Sequence, residues 1–308
     1  MKTVYLNEFI HPAAVKRLQE YAEIATDFDK IEELDGIIVR GTQITGEMID
    51  KAKKLKVIGR HGIAMNIIDL EAAKRNNVRV LNTPTSNANS VAEYVVGAFI
   101  AMSRHFYECN AKLRRGEFTR IAPPDLQGND VSGKAVGLVG MGNISQRVGR
   151  MMKAAFGCEI FGYDPFVTKE RAEELGFVKI ETLEELLERS DLVNISVPLS
   201  EGTINLVSGD MFEHFKEGAI LVNAARGKIV NEEDLYKALA NGKLKAAAFD
   251  VFEHEPLAKD SKLLTLENFS ATPHVGGNTE EALYRTGMEV VENVINVLEG
   301  RPARGIVV

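Results

Sequence analysis

The chain has no tryptophan and two cysteines in 308 residues. Cys109 and Cys158 lie far apart and form no CxxC pair, which excludes a disulfide framework and a cysteine metal site. Two reduced thiols suit a cytoplasmic protein. No apolar run approaches the ~20 residues needed to cross a bilayer. The most apolar stretch, Val91–Met102, contains Glu93 and reads as a buried helix, so no membrane role is expected. The first residues carry Glu8 and His11 rather than the apolar core of a signal peptide. Basic runs are missing too: 37 Lys and Arg against 44 Asp and Glu leave a net charge of −7. Nucleic-acid affinity rests on neutralising phosphates, so such a chain is a poor nucleic-acid binder.

What is present is the balance of a globular protein, 45% apolar and 26% charged. At about 150 residues per domain the length suggests two domains, large enough to need no disulfide or metal staple. Short β-branched runs alternate with helical patterns. In the first half the strands are Val4–Leu6, Ile37–Val39, Val57–Gly59 and Val78–Leu81, with helices at Ala13–Tyr21, Glu47–Lys53 and Leu70–Arg75. The second half gives strands Ala135–Val139, Ile160–Tyr163, Leu192–Ser196, Ile220–Asn223, Ala246–Phe249 and Phe269–Ala271, with helical segments between most of them. This alternation predicts an α/β protein with parallel sheets covered by helices on both faces. Two long helices, Ser90–Tyr107 and Thr279–Leu298, bracket the middle segment. The chain is therefore expected to leave one domain, build a second, and return. The domains are placed at 1–100 with 284–308, and at 101–283.

One loop has the signature of a dinucleotide site. The strand pattern Lys134–Val139 runs into Gly140-Met141-Gly142-Asn143-Ile144-Ser145, and a helix pattern follows. Gly140 permits the tight turn, and Gly142 lets the backbone approach a pyrophosphate held on the N–H groups of Asn143 and Ile144. Ser145 replaces the usual third glycine but is small enough to pack. Asp164 ends the next strand, 22 residues past Gly142. Its carboxylate would bond the ribose hydroxyls and repel a 2′-phosphate, which favours NAD over NADP.

Three polar residues follow late strands: Arg226 after Ala219–Asn223, Glu255 after Ala246–Phe249, and His274 after Phe269–Ala271. Ligands of open parallel sheets bind beyond the carboxyl ends of the strands, so all three are candidates for one crevice. Their chemistry fits reduction of a 2-oxo acid. A histidine oriented by a carboxylate supplies the proton, and a planar guanidinium holds the substrate carboxylate. His11, His105, His214 and His254 are expected at surfaces or boundaries, while His61 is a minor candidate for substrate contact.

These pieces resemble the D-isomer-specific 2-hydroxyacid dehydrogenase family. The resemblance is carried by Gly140-x-Gly142 with Asp164, Val197-Pro198-Leu199, Asn223-Ala224-Ala225-Arg226-Gly227, Asp250-Val251-Phe252 through Glu255-Pro256, and Pro273-His274-x-Gly276. Asn82-Thr83-Pro84 and Val91-Ala92-Glu93 match the first domain, so it spans essentially the whole chain. It implies two Rossmann-like domains, with an NAD domain inserted into a split substrate domain. It implies a catalytic set of Arg226, Glu255 and His274, and a homodimer built on the long inter-domain helix. Asp250 corresponds to a residue that contacts the nicotinamide carboxamide. Val197 and Pro198 match the family segment that lines the cofactor cleft, and the resemblance carries Ala224, Gly276 and Gly277 over as cofactor-contacting positions.

Within the family the chain is most similar to the phosphoglycerate dehydrogenases. Arg40 and Arg60 each follow an apolar strand, and two such guanidinium groups suit a phosphorylated or dianionic substrate. Gly62, Ile63 and Ala64 fall in the family's carboxylate-binding turn, where Ala64, Asn66 and Ile67 depart from the usual residues. The sequence ends at Val308, so a C-terminal regulatory domain is not expected. D-3-phosphoglycerate is the leading substrate, with glyoxylate, hydroxypyruvate or pyruvate as the alternative. An NAD-sensing binding protein is a more distant reading.

Overall fold

The computed structural model describes every residue except Thr119. The first elements are β1 (Lys2–Tyr5), α1 (Pro12–Gln19), β2 (Ala22–Ala25), β3 (Gly36–Val39), α2 (Gly46–Lys51), β4 (Val57–Arg60), α3 (Leu70–Arg75) and β5 (Arg79–Leu81). Then follow α4 (Ala88–Ser103), α5 (Phe106–Arg114), β6 (Ala135–Val139), α6 (Asn143–Phe156), β7 (Glu159–Tyr163), α7 (Lys169–Glu174), β8 (Val178–Lys179), α8 (Leu183–Arg189) and β9 (Leu192–Ile195). The last are β10 (Ala219–Asn223), α9 (Glu232–Ala240), β11 (Leu244–Phe249), β12 (Phe269–Ala271) and α10 (Glu280–Leu298).

The chain forms two compact units, Met1–Ala88 with Asn278–Val308, and Asn89–Gly277. The sequence reading puts the joins at 100/101 and 283/284. Those positions lie inside α4 and α10, where the apolar pattern continues without a break and so carries no boundary signal.

In the first unit five parallel strands pair in the order β2-β1-β3-β4-β5. β3 is buried at all four residues, as expected of a strand covered on both faces. One layer packs Tyr5, Ile37 and Ile58 against Ile49 and Ala72 of α2 and α3. The other packs Val4, Ile38 and Val57 against Leu18 of α1 and Val290 and Val294 of α10. A side chain at Gly59 would come within 2.7 Å of both valines of α10, so the glycine is what lets that helix lie on β4. Thr279 caps α10 by accepting the Ala282 N–H at 3.1 Å.

In the second unit seven parallel strands run in the order β12-β11-β10-β9-β6-β7-β8. Each face again buries an apolar layer, one around Leu221, Phe249 and Leu235 and the other around Val136, Val148 and Phe99. Both units have the α/β, parallel-sheet architecture that the alternation predicts.

Two edge strands escape the sequence reading. β2 (Ala22–Ala25) and the two-residue β8 carry little β-branched signal. The helix expected over Ser90–Tyr107 divides into α4 and α5 at Arg104 and His105. His105 takes the left-handed conformation at φ 53°, which non-glycine residues rarely adopt, so no glycine or proline marks the break. Among the described residues no helix is long and apolar enough to cross a membrane.

Candidate active site

The site in the second unit is built at the carboxyl edge of its sheet. Asn223, Phe249 and Ala271 stand level across β10, β11 and β12. The loops carrying Arg226, Glu255 and His274 therefore leave the sheet side by side. Asn223 is fully buried and closes its own loop: its amide donates to the Arg226 carbonyl (3.1 Å) and accepts the Ala225 N–H (3.1 Å). At Gly227 a Cβ would lie 1.8 Å from the Phe252 carbonyl oxygen. Only glycine lets the Arg226 loop dock on the segment that leads to Glu255.

The sequence-predicted residues converge here. Glu255 Oε2 lies 2.8 Å from His274 Nδ1, and Oε1 accepts the Phe252 N–H at 3.2 Å. His274 remains half exposed, with a relative side-chain exposure of 50%. With Nδ1 engaged, Nε2 is the nitrogen left for a reacting group. The Arg226 guanidinium donates to the Ala225 carbonyl at 2.5 Å. Burial pushes its pKa below the usual arginine value, and the negative charge of Glu255 opposes that.

His274 adopts φ 56°, a left-handed conformation that its surroundings must hold. Asp250 does much of this. It is 2% exposed, and its carboxylate accepts the N–H groups of Val275 (2.8 Å) and Gly276 (2.7 Å) and the Thr272 hydroxyl (2.6 Å). Its carbonyl accepts the His274 N–H at 2.9 Å. Tyr94 completes the network, 2.7 Å from the Thr272 hydroxyl. Burial pushes the Tyr94 phenol up to about 12. Asp250, the position the resemblance places near the nicotinamide, thus fastens the loop of His274 through its carboxylate. Thr272 and Tyr94 escape sequence reasoning, because a single threonine before a proline and one tyrosine in an apolar helix carry no local signal.

The dinucleotide loop lies at the switch of strand order between β6 and β9, where open sheets bind ligands. Gly140 has φ 88°, and a Cβ there would sit 2.7 Å from the Ser196 carbonyl oxygen. Val197 packs against the same position, while Pro198 is exposed and Ala224 half-buried. Gly142 is the N-cap of α6 and offers no side-chain cap. A Cβ on it would project into open space. The N–H groups of the first turn of α6, at Asn143 and Ile144, are thus left to an anion. Asp164 accepts the Met141 N–H at 2.9 Å and the Phe166 N–H at 2.9 Å, which ties the carboxylate to the glycine loop. This cradle fits a dinucleotide. Ser145 is fully buried, so it packs as expected, yet its hydroxyl lacks a hydrogen-bond partner.

In the first unit Arg60 turns back onto its own loop, donating to the carbonyls of Ala64 (3.0 Å) and His61 (2.6 Å). The Gly62 N–H donates to Thr83 Oγ1 at 3.0 Å, Ile63 is 36% exposed, and Ala64 is half-buried. Arg40 Nη1 is 3.4 Å from the Phe9 carbonyl. His61 is 7% exposed with Nε2 unpartnered. Burial first, then the charges of Arg40 and Arg60, push its pKa down to about 4.

Comparison with known proteins identifies the family. The family model for the D-isomer specific 2-hydroxyacid dehydrogenase, NAD binding domain, matches residues 96–276. A D-3-phosphoglycerate dehydrogenase of Methanocaldococcus jannaschii is 40% identical across all of this chain, which covers 59% of that protein. The chain thus spans little more than half the length of that relative. A hydroxypyruvate reductase of Thermotoga maritima is 36% identical, with the match covering 96% of this chain and 98% of that one. A solved structure from Thermus thermophilus matches all of both chains with a TM-score of 0.89 at 32% identity.

Proposed function

The chain belongs to the D-isomer specific 2-hydroxyacid dehydrogenase family, and from that premise we propose that it interconverts a D-2-hydroxy acid and a 2-oxo acid using NAD. The observation that carries this reading is the His274–Glu255 pair at 2.8 Å, on a loop level with that of Arg226. When bound, the nicotinamide supplies or accepts the hydride. Gly140, Gly142, Asn143 and Ile144 hold the pyrophosphate and Asp164 the ribose. Val197, Pro198 and Ala224 line the cofactor, and Asp250, Gly276 and Gly277 adjoin its nicotinamide end. In reduction His274 gives a proton to the carbonyl oxygen; in oxidation it takes the hydroxyl proton. Glu255 orients the imidazole, and Arg226 holds the substrate carboxylate.

D-3-phosphoglycerate with 3-phosphohydroxypyruvate is the leading pair, supported by the 40% identical relative. Arg40, Arg60, Gly62, Ile63 and Ala64 are the proposed substrate-binding residues of the first unit. On this pair the enzyme would act in the cytoplasm, in serine biosynthesis. A small 2-oxo acid such as hydroxypyruvate or glyoxylate is the second reading. It is favoured by the hold of Arg60 on its own loop carbonyls and by the hydroxypyruvate reductase relative, which matches over nearly its full length. We also propose a homodimer. α5 buries none of its side chains, and Phe106, Tyr107 and Leu113 are more than half exposed.

Oxidation of NADH with phosphohydroxypyruvate, hydroxypyruvate, glyoxylate and pyruvate in turn tests the reading. Turnover with one of them is expected; no turnover with any would overturn it.

A further inference from the structure

Arg226 and Glu255 leave the second sheet on separate loops, one after β10 and one after β11, yet the proposed reaction needs them in a fixed relation. The loop of Arg226 is held at its far end. The Lys228 carbonyl accepts the Asn205 N–H at 2.7 Å, and the Asn231 N–H donates to the Val207 carbonyl at 3.0 Å. Asn231 then caps α9 by accepting the Asp234 N–H at 3.0 Å. The loop of Glu255 climbs out of the core instead. Val251 and Phe252 are buried, Glu253 is half-buried, and His254 and Glu255 are exposed.

The two loops are joined at two points. Gly227 packs its backbone on the Phe252 carbonyl. Glu232, the first residue of α9, reaches across from the far end: its carboxylate accepts the Glu253 N–H at 2.6 Å, and its own N–H donates to the Glu253 carboxylate at 3.4 Å. The neighbouring Phe252 N–H goes to Glu255 itself. The place is a costly one for a carboxylate. Burial pushes the Glu232 pKa up, the bond from the Glu253 N–H pulls it down, and the charge of Glu253 pushes it up again. A negative charge in the first turn suits the helix dipole, but Glu233 supplies one there while exposed. What Glu232 gains from its half-buried place is the bond to Glu253.

We propose that Glu232 is a positioning residue for the Glu255–His274 pair: by holding the Glu253 N–H it fixes the turn that aims the Glu255 carboxylate at His274 Nδ1. This role rests on the dehydrogenase reading. Glu232 acts on the orientation of the imidazole and not on binding, so its loss is felt in kcat and not in affinity.

The test uses Glu232→Ala and Glu232→Gln in the full-length protein, with whichever of the four 2-oxo acids above it turns over best. Glu232→Ala is expected to lower kcat about tenfold, with KM for the 2-oxo acid and the NADH Kd, read by fluorescence, retained. Glu232→Gln keeps an acceptor for the Glu253 N–H and is expected to recover most of the loss. A double-mutant cycle with Glu255→Gln separates positioning from general loosening: once that carboxylate is gone, Glu232→Ala should cost nothing further. Amide exchange at Glu253, which needs no turnover, is expected to speed up in Glu232→Ala and stay slow in Glu232→Gln. A wild-type kcat in Glu232→Ala, or an equal loss in both backgrounds of the cycle, overturns the role of Glu232 and leaves the dehydrogenase reading intact. A wild-type protein that turns over none of the four acids overturns that reading, and the catalytic role of Glu232 with it. If Glu232→Ala does not fold, Glu232→Leu fills the same half-buried place and is held to the same outcomes.

Discussion

Glu255 and His274 are separated by 19 residues in sequence and by 2.8 Å in space. The contact exists because β11 and β12 are neighbours in register, Phe249 beside Ala271, and because each strand is followed by a loop fixed at its base. The carboxylate is itself held by the Phe252 N–H, so the imidazole is oriented by a group that is oriented in turn.

Arg226 is expected to act through its planar fork, since lysine offers a point charge and not paired donors. Arg226→Lys should raise KM for the 2-oxo acid roughly 10- to 100-fold, the worth of a charged hydrogen bond of about 1.5–3 kcal/mol. Steady-state kinetics with NADH at saturation check this. An unchanged KM would remove Arg226 from the carboxylate.

The two glycines of the dinucleotide loop should fail in different ways. A methyl on Gly140 meets the Ser196 carbonyl at a left-handed φ of 88°, so Gly140→Ala should lower Tm. Gly142 has φ −74° and open space before it. Gly142→Ala should keep its Tm and weaken NAD at least tenfold, about 1.4 kcal/mol. Thermal melts and a fluorescence titration with NADH separate the two effects.

The unpartnered hydroxyl of Ser145 is a cost without a compensating bond. Ser145→Ala removes a buried, unsatisfied polar group and favours the helix, so it should stabilise the protein by about 1 kcal/mol. Denaturant unfolding measures this, and a loss of stability would show that the hydroxyl is bonded in solution.

His61 gives the fold a defined pH dependence. Its pKa is about 4 in the folded protein against an ordinary value of 6.5. Between those values the unfolded chain binds the proton and the folded chain does not, so stability is complete above pH 6.5 and falls as pH drops toward 4. The loss is roughly 3 kcal/mol at about 1.36 kcal/mol per pKa unit. Replacing His61 with glutamine should flatten this part of the stability–pH curve. Parallel curves for the two proteins would contradict it.

Much of this was legible in the sequence. β6 matches its predicted bounds because a buried parallel strand reads as an unbroken apolar run between turn signals, and the half-buried edge strand β12 matches its bounds too. Arg226, Glu255, His274 and the glycine loop stand out because each follows such a run. Less was legible where the signal is three-dimensional. Tyr94 joins Thr272 across 178 residues of chain, and Glu8 reaches the backbone of Arg40 32 residues away. Neither distance leaves a periodicity. Arg60 looks like a substrate ligand from its place at a strand end, and its hold on the carbonyls of its own turn shows only in three dimensions.

The proton-transfer role of His274 is tested most directly by kcat for NADH oxidation in His274→Gln, at saturating 2-oxo acid and with NADH affinity measured in parallel. Loss of general acid catalysis predicts a fall in kcat on the order of 10²–10⁴-fold with NADH affinity retained. A variant that turns over at the wild-type rate would contradict the account.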